Sequence, residues 1–231
     1  GVSCISVSEH PVATFVLPQP ERRGDLSNFI RMTTADSDGN IILSTSDNKM
    51  YKYDIHTAKT VMTGEQNACV YAYHKDKRGN IWMATRGDGL YVGDRHYRRG
   101  GTGKDYLLSD NFQDIAEDDK GRIWLSTYEE GLIMAEYADD GSIGFQQFLA
   151  RNYNETRVRQ IALDNKGRLW ISSYNGLYML DTNIDDVNDN DFKCFNIDNN
   201  TLSFNEVKCV TCSSDGFLWI GGKGSGVVRC K

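Results

Sequence analysis

A chain of 231 residues carrying 26 basic and 32 acidic side chains, net charge −6, can bury a sizeable core but lacks the basic balance of a nucleic-acid binder. Its 39% hydrophobic and 25% charged residues mark a folded globular chain rather than a disordered one. No stretch approaches the roughly 20 apolar residues of a membrane span, and residues 1–20 lack the basic start and apolar run of a signal peptide, so neither is expected.

In chain order, residues 1–24 come first, with the apolar run ATFVL at 13–17. One segment then recurs five times: ADSDGNIILST, HKDKRGNIWMAT, AEDDKGRIWLST, ALDNKGRLWISS and CSSDGFLWIGG. Its glycines, Gly39, Gly79, Gly121, Gly167 and Gly216, are spaced by 40, 42, 46 and 49 residues. Three positions later stand Ile42, Trp82, Trp124, Trp170 and Trp219, so all 4 Trp of the chain share one register. Three positions earlier stand Asp36, Asp76, Asp118, Asp164 and Ser213. A second glycine follows at Gly89, Gly131, Gly176 and Gly226, with Lys49 in its place in the first copy.

Asp opening and Gly ending a four-residue turn predict a hairpin. The strand before it reads FIRMTT, CVYAYH or VRQIAL, and the strand after it reads NIWMAT or RLWISS. Apolar neighbours such as Ile81–Trp82 and Leu169–Trp170 require both faces of the second strand to be buried. Units of about 40–45 residues with about four such strands predict an all-β propeller. The expected blades are 25–63, 64–107, 108–150, 151–196 and 197–231, with 1–24 closing the last one, either as a single domain or as part of a larger array. All four Trp are expected to be largely buried between blades.

The pattern D-x-x-G-x-[IL]-W-[ILM]-x-[TS]-x-x-x-G-[LV], with the lead-ins LSNFI, LSDNFQDI and FNEVKCV, resembles the two-component regulator propeller repeat over residues 25–230. That resemblance implies the periplasmic sensor region of a hybrid histidine kinase. It further implies a glycan-derived oligosaccharide or anionic small molecule as ligand, with neighbouring ectodomain modules and a homodimer as partners. No cofactor, nucleic acid or membrane contact is implied. Streptogramin-lyase-like propellers share D-x-x-G-x-x-W but need a positioned base, commonly His. The only His here are His10, His56, His74 and His96, and none occupies a repeat-equivalent loop on the face expected to carry function. A protein-interaction scaffold without a ligand of its own is the alternative from another class.

Loops carry function on a rigid scaffold. In an up-and-down blade, the lead-in to the first strand and the loop between the second and third share one face. That face is expected to collect Arg86, Asp88, Tyr128, Glu130, Tyr174, Asn175 and Lys223, with Asn28, Asn67, Asn111 and Asn205. Five residues before the repeat Asp or Ser stand Arg31, Tyr71, Gln113, Arg159 and Lys208, long polar side chains among apolar neighbours and expected to face a central channel. Together with Arg86, Tyr128 and Tyr174 they are the candidate ligand-binding residues. No catalytic or metal-binding set is expected.

Cys209 and Cys212 have redox or zinc spacing, but no second pair or nearby His completes a site. Cys69, Cys194, Cys209 and Cys212 are expected free and buried, and Cys4 could meet Cys230. GGTGK at 100–104 fails as a phosphate loop, since Arg98 and Asp105 replace the required Gly and Ser/Thr. DTNIDDVNDND at 181–191 fails as a calcium loop at Asp186 and Phe192 and is expected to be a solvated insertion; RHYRRGG at 95–101 is expected to be a loop on the opposite face.

Overall fold

The computed structural model describes residues 17, 29–102, 106–150 and 157–231. They belong to two compact units, Gly1–Glu65 and Gln66–Lys231. In the first, β1 (Ile30–Ala35), β2 (Ile41–Thr45), β3 (Lys49–Asp54) and β4 (Lys59–Glu65) form one antiparallel sheet in sequence order. The second unit begins with a sheet of β5 (Val70–Lys75), β6 (Ile81–Thr85), β7 (Leu90–Val92) and β8 (Arg95–Tyr97). Next come β9 (Phe112–Glu117), β10 (Ile123–Thr127), β11 (Leu132–Tyr137) and β12 (Ile143–Phe148). A third sheet holds β13 (Val158–Leu163), β14 (Arg168–Ser173), β15 (Gly176–Asp181) and β16 (Lys193–Phe195), and the last holds β17 (Val207–Cys212), β18 (Leu218–Gly222) and β19 (Gly226–Cys230). These up-and-down sheets are the blades of an all-β propeller. Four are four-stranded, while the last has three described strands. The run expected to supply its fourth strand, ATFVL, lies outside the described residues except for Leu17, which is buried against Leu43 and Tyr51. No described helix is long and apolar enough to cross a membrane.

The repeat Asp organises each hairpin turn. Asp76 Oδ1 accepts the backbone N–H groups of Arg78 and Asn80 at 3.0 and 2.7 Å, and its Oδ2 accepts from Trp82 Nε1 at 2.7 Å. Asp118 and Asp164 do the same, accepting from Trp124 and Trp170 Nε1 at 2.9 and 3.0 Å. One carboxylate thus satisfies the turn and the indole together, which fixes the six-residue spacing of Asp and Trp in the sequence. The turn glycine takes φ between 72° and 90° in all five copies, a backbone state that side chains resist.

Each indole packs on the sheet that follows it. Trp82 lies among Phe112, Ile123 and Leu125; Trp124 among Val158, Ile161 and Leu169; Trp170 among Val207, Val210 and Ile220. Trp219 departs from the expectation of burial: it occupies the equivalent place on β18 but is 40% exposed. No later sheet follows it in its unit, and Ser213 in place of Asp bonds Asp215 and the Phe217 carbonyl instead. The second glycine has a separate cause. A Cβ on Gly89, Gly131 or Gly176 would sit 2.2–2.5 Å from the carbonyl of Tyr97, Phe148 or Phe195, next to the outer strand of the same sheet. Gly226, on the three-stranded sheet, has nothing within 4 Å.

Three local expectations are corrected. Arg95–Tyr97 of RHYRRGG is strand β8 rather than loop, and it carries Arg98 back to Asp88, at 3.3 Å. The acidic insertion is anchored rather than simply solvated. Buried Arg122 donates to the carbonyls of Thr182, Ile184 and Asp185 at 2.5, 2.9 and 3.2 Å, and Val187 and Phe192 enter the core. Cys69, Cys194 and Cys212 are free but only half-buried, and Cys209 is exposed. Cys230 is free, and Cys4 lies outside the described residues. Burial pushes the Cys212 thiol up to about 11, so it is unreactive at neutral pH.

Candidate functional site

The register between first and second strands breaks at the same place in every sheet. Arg31, Tyr71, Gln113 and Lys208 are each skipped in the pairing, and Arg159 is skipped with Gln160. These are the polar positions singled out in the sequence, and all five sit on β-bulges, which turn a side chain out of the pleat. A backbone hydrogen bond then ties the lead-in to the loop between the second and third strands: Ser46 to Phe29, Arg86 to Cys69, Tyr128 to Asn111, Tyr174 to Arg157 and Lys223 to Glu206, all at 2.9–3.2 Å. Lead-in, bulge and loop residues therefore meet at one end of each blade.

In the first unit, Arg31 Nε donates to Ser46 Oγ at 2.6 Å. In the second unit the same positions join into a ribbon. Arg86 donates to the Tyr71 hydroxyl at 3.3 Å, and its guanidinium lies 5.7 Å from the Tyr71 ring and 5.1 Å from the Tyr128 ring. Arg157 stands 5.1 Å from the same Tyr128 ring and 5.6 Å from the Tyr174 ring. Arg159 and Lys208 approach the Tyr174 ring at 4.6 and 5.3 Å, and Arg159 also donates to the Tyr174 hydroxyl. Glu206 ends the series, paired with Lys208, with Lys223 at 3.0 Å and with Arg159 at 3.9 Å. Lys208 and then Lys223 hold its carboxyl below the ordinary value. Cation–π contacts of this kind contribute about 0.5–1 kcal/mol each when exposed.

Six of the eight candidate residues, Tyr71, Arg86, Tyr128, Arg159, Tyr174 and Lys208, are thus brought together. Gln113 shares the bulge position without a ring contact of this kind, and Arg31 belongs to the first unit. Asn67 and Asn205 do turn work instead, bonding the Tyr91 hydroxyl at 3.4 Å and the Ile197 N–H at 2.9 Å. Sequence reasoning missed Arg157 and Glu206. Both stand two residues before a bulge residue, a register that was legible as a spacing but reads Phe29, Cys69 and Asn111 in the other copies. Asn28 lies outside the described residues.

Beside the bulges, Asp114 accepts the N–H of Ile161 on the next sheet at 3.0 Å and that of Ile115 at 2.9 Å. Burial pushes its carboxyl up to about 6. Below about pH 4 it is protonated folded or unfolded and has no effect on stability. Between about pH 4 and 6 the unfolded chain releases a proton that the folded chain retains, so stability falls with rising pH, by about 2–3 kcal/mol in full. Asp114→Asn should therefore raise the melting temperature at pH 8 and leave it unchanged at pH 4; equal shifts at both would remove this assignment.

His74 bonds Glu117 at 2.9 Å, His56 sits in the turn after β3, and His96 on β8 reaches the loop end of its blade, stacked on Tyr91 at 4.0 Å.

The fold recurs widely among solved structures. The extracellular domain of the BT4673 system of B. thetaiotaomicron superposes with TM-score 0.68 at 20% identity over 91% of this chain, and this chain spans 30% of that one. PorZ, a surface component of the type-IX secretion system of Porphyromonas gingivalis, gives 0.66 at 15% identity over 96% of this chain and 34% of its own. Virginiamycin B lyase from Staphylococcus aureus gives 0.60 at 16% identity over 89% and 72%. At these identities the likeness is one of fold, which is shared by sensors and enzymes alike. No curated protein sequence matches the chain. The two-component regulator propeller family matches at residues 106–129, 152–175 and 201–224. Each match contains one complete set of lead-in, bulge and loop positions: Asn111, Gln113 and Tyr128; Arg157, Arg159 and Tyr174; Glu206, Lys208 and Lys223. Sequence motif and structural repeat coincide in these three segments, which carry the two-component regulator propeller repeat.

Proposed function

We propose that this propeller is a non-catalytic ligand-recognition module of a two-component receptor, lying on the periplasmic side of the membrane, and that the ribbon from Tyr71 to Lys223 is its binding surface. The observation that supports this is the alternation of rings and cations across four blades of a chain whose net charge is −6. Such a surface suits an acidic or hydroxyl-rich ligand, an oligosaccharide above all, through charge-assisted hydrogen bonds and stacking. The ribbon's own members include no nucleophile paired with a base, which favours binding over a streptogramin-lyase-like reaction. Signalling then follows from differential affinity: the ligand stabilises one arrangement of the receptor over another. Arg159→Glu should weaken an acidic ligand by about 1.5–3 kcal/mol, the loss for one charge-assisted bond, while leaving the melting temperature nearly unchanged. Thermal-shift screening against an oligosaccharide panel finds the ligand. A parent receptor that responds normally with Arg86, Arg159 and Lys208 all replaced by glutamine refutes the reading.

A ligand-free interaction scaffold is the second reading. It draws on the exposed Trp219 and Val227 of the last sheet, and it requires that the chain melt identically in every sugar tested.

A further inference from the structure

We infer that Arg159, Lys208 and Lys223 form a carboxylate subsite at one end of the ribbon, and that Glu206 is its internal occupant, displaced by a carboxylate-bearing sugar. This rests on the ribbon being the ligand surface. The three cations come from three different local positions: a bulge on β13, a bulge on β17 and the loop after β18. They converge on a single carboxylate from two sides. Glu206 Oε1 takes Lys208 and, at 3.9 Å, Arg159 Nη2, while Oε2 takes Lys223 at 3.0 Å. A planar two-oxygen acceptor is what this arrangement fits, and the side chain holding the place is one.

The occupant is weakly committed to its position. Glu206 occupies the lead-in position filled by Phe29, Cys69, Asn111 and Arg157 in the other blades, and its place in the fold is secured by its backbone carbonyl, which accepts from Lys223 N at 3.0 Å. Its side chain is therefore free to leave without breaking the blade. Lys223 is 66% exposed, Lys208 35%, Arg159 29% and Glu206 20%, so the cluster is open to an incoming group. Tyr174, against Arg159 and Lys208, offers a ring face at the same end to which the body of a sugar ring can stack. A ligand carboxylate exchanges one ion pair for another, so Glu206 lowers affinity for acids while keeping neutral sugars and stray small anions from a bare cluster of charge.

The experiment titrates acetate and tetragalacturonate into the wild-type chain, Glu206→Gln and the double variant Glu206→Gln/Lys223→Gln, following the Arg159 Nε–H resonance by NMR. Glu206→Gln should bind acetate at least about tenfold more tightly than wild type, and the double variant should lose most of that gain. Equal acetate affinity in wild type and Glu206→Gln, or a gain that survives removal of Lys223, overturns the subsite. Tetragalacturonate should bind Glu206→Gln more tightly than acetate, and its fully methyl-esterified form should gain nothing from the substitution. If acetate behaves as expected and tetragalacturonate binds no better than acetate or than a tetraglutamate peptide, the sugar reading of the ribbon fails while the anion subsite stands. If Glu206→Gln is poorly folded, Glu206→Ser with the same two ligands gives the same comparison.

Discussion

Truncating Trp124 to alanine is expected to cost about 3–5 kcal/mol, as for a large aromatic side chain removed from a closed core. Trp124 is fully buried and stands between two sheets, among Leu132, Phe148, Val158 and Ile171. Its removal opens a void that neither sheet can collapse to fill, and it leaves Asp118 without one of its partners. The same substitution at Trp219 should cost no more than about 1.5 kcal/mol, because that ring is 40% exposed and keeps mainly the guanidinium of Arg229, 5.7 Å from its centre. Urea unfolding followed by circular dichroism measures both. Equal losses at the two positions would show that another surface covers Trp219 in solution.

The second large effect lies beside the Trp124 ring, whose indole N–H donates to Asp118. Asp118→Ala should destabilise by about 3–5 kcal/mol, the range for removing one partner of a buried ion pair. Asp118 and Arg122 are almost fully shielded from solvent, with Arg122 Nε donating to Asp118 Oδ2 at 2.7 Å. Without the carboxylate, the guanidinium stays buried among the carbonyls of Thr182, Ile184 and Asp185 with no counter-charge. The turn N–H groups of Lys120 and Arg122 and the Trp124 indole lose their acceptor at the same time. Asp36→Ala is the control. Its blade has Ile42 in place of Trp, and its partner Lys52, at 2.8 Å, is 38% exposed, so the loss there should be far smaller. A loss at Asp118 no larger than at Asp36 would show that Arg122 finds water or another partner.

The binding end of the blades was only half legible. Arg86, Tyr128 and Tyr174 follow from loop position, and Arg159 and Lys208 from a polar residue recurring in an apolar strand. That recurring polar position turned out to be a bulge, and a bulge changes the pairing, not the composition, so the sequence carries its polar residue but not its cause. Arg157 and Glu206 escaped because their register has no common residue type; their backbone carbonyls do the shared work, and side-chain identity does not record that. The strand of RHYRRGG was misread for a related reason. Three residues are too few to show a period, and they are ordered by pairing with Leu90–Val92, a partner already fixed by its own hairpin.

What the sequence determined by itself is the blade. The spacing from Asp through Gly to Trp encodes one carboxylate serving a turn and an indole, and the second Gly encodes the approach of an outer strand. Both are short-range requirements, and so they repeat in the chain. What only the tertiary structure decided is the consequence of position along the array. Trp219 and Gly226 are the same residues as their counterparts, yet one ring is exposed because no sheet follows it in its unit, and one glycine is unopposed because its sheet has no fourth described strand. The ribbon is of the same kind: Arg86 on Tyr128 and Arg157 on Tyr128 are contacts between blades, and a local pattern records which residues a blade presents but not which of them the next blade will meet.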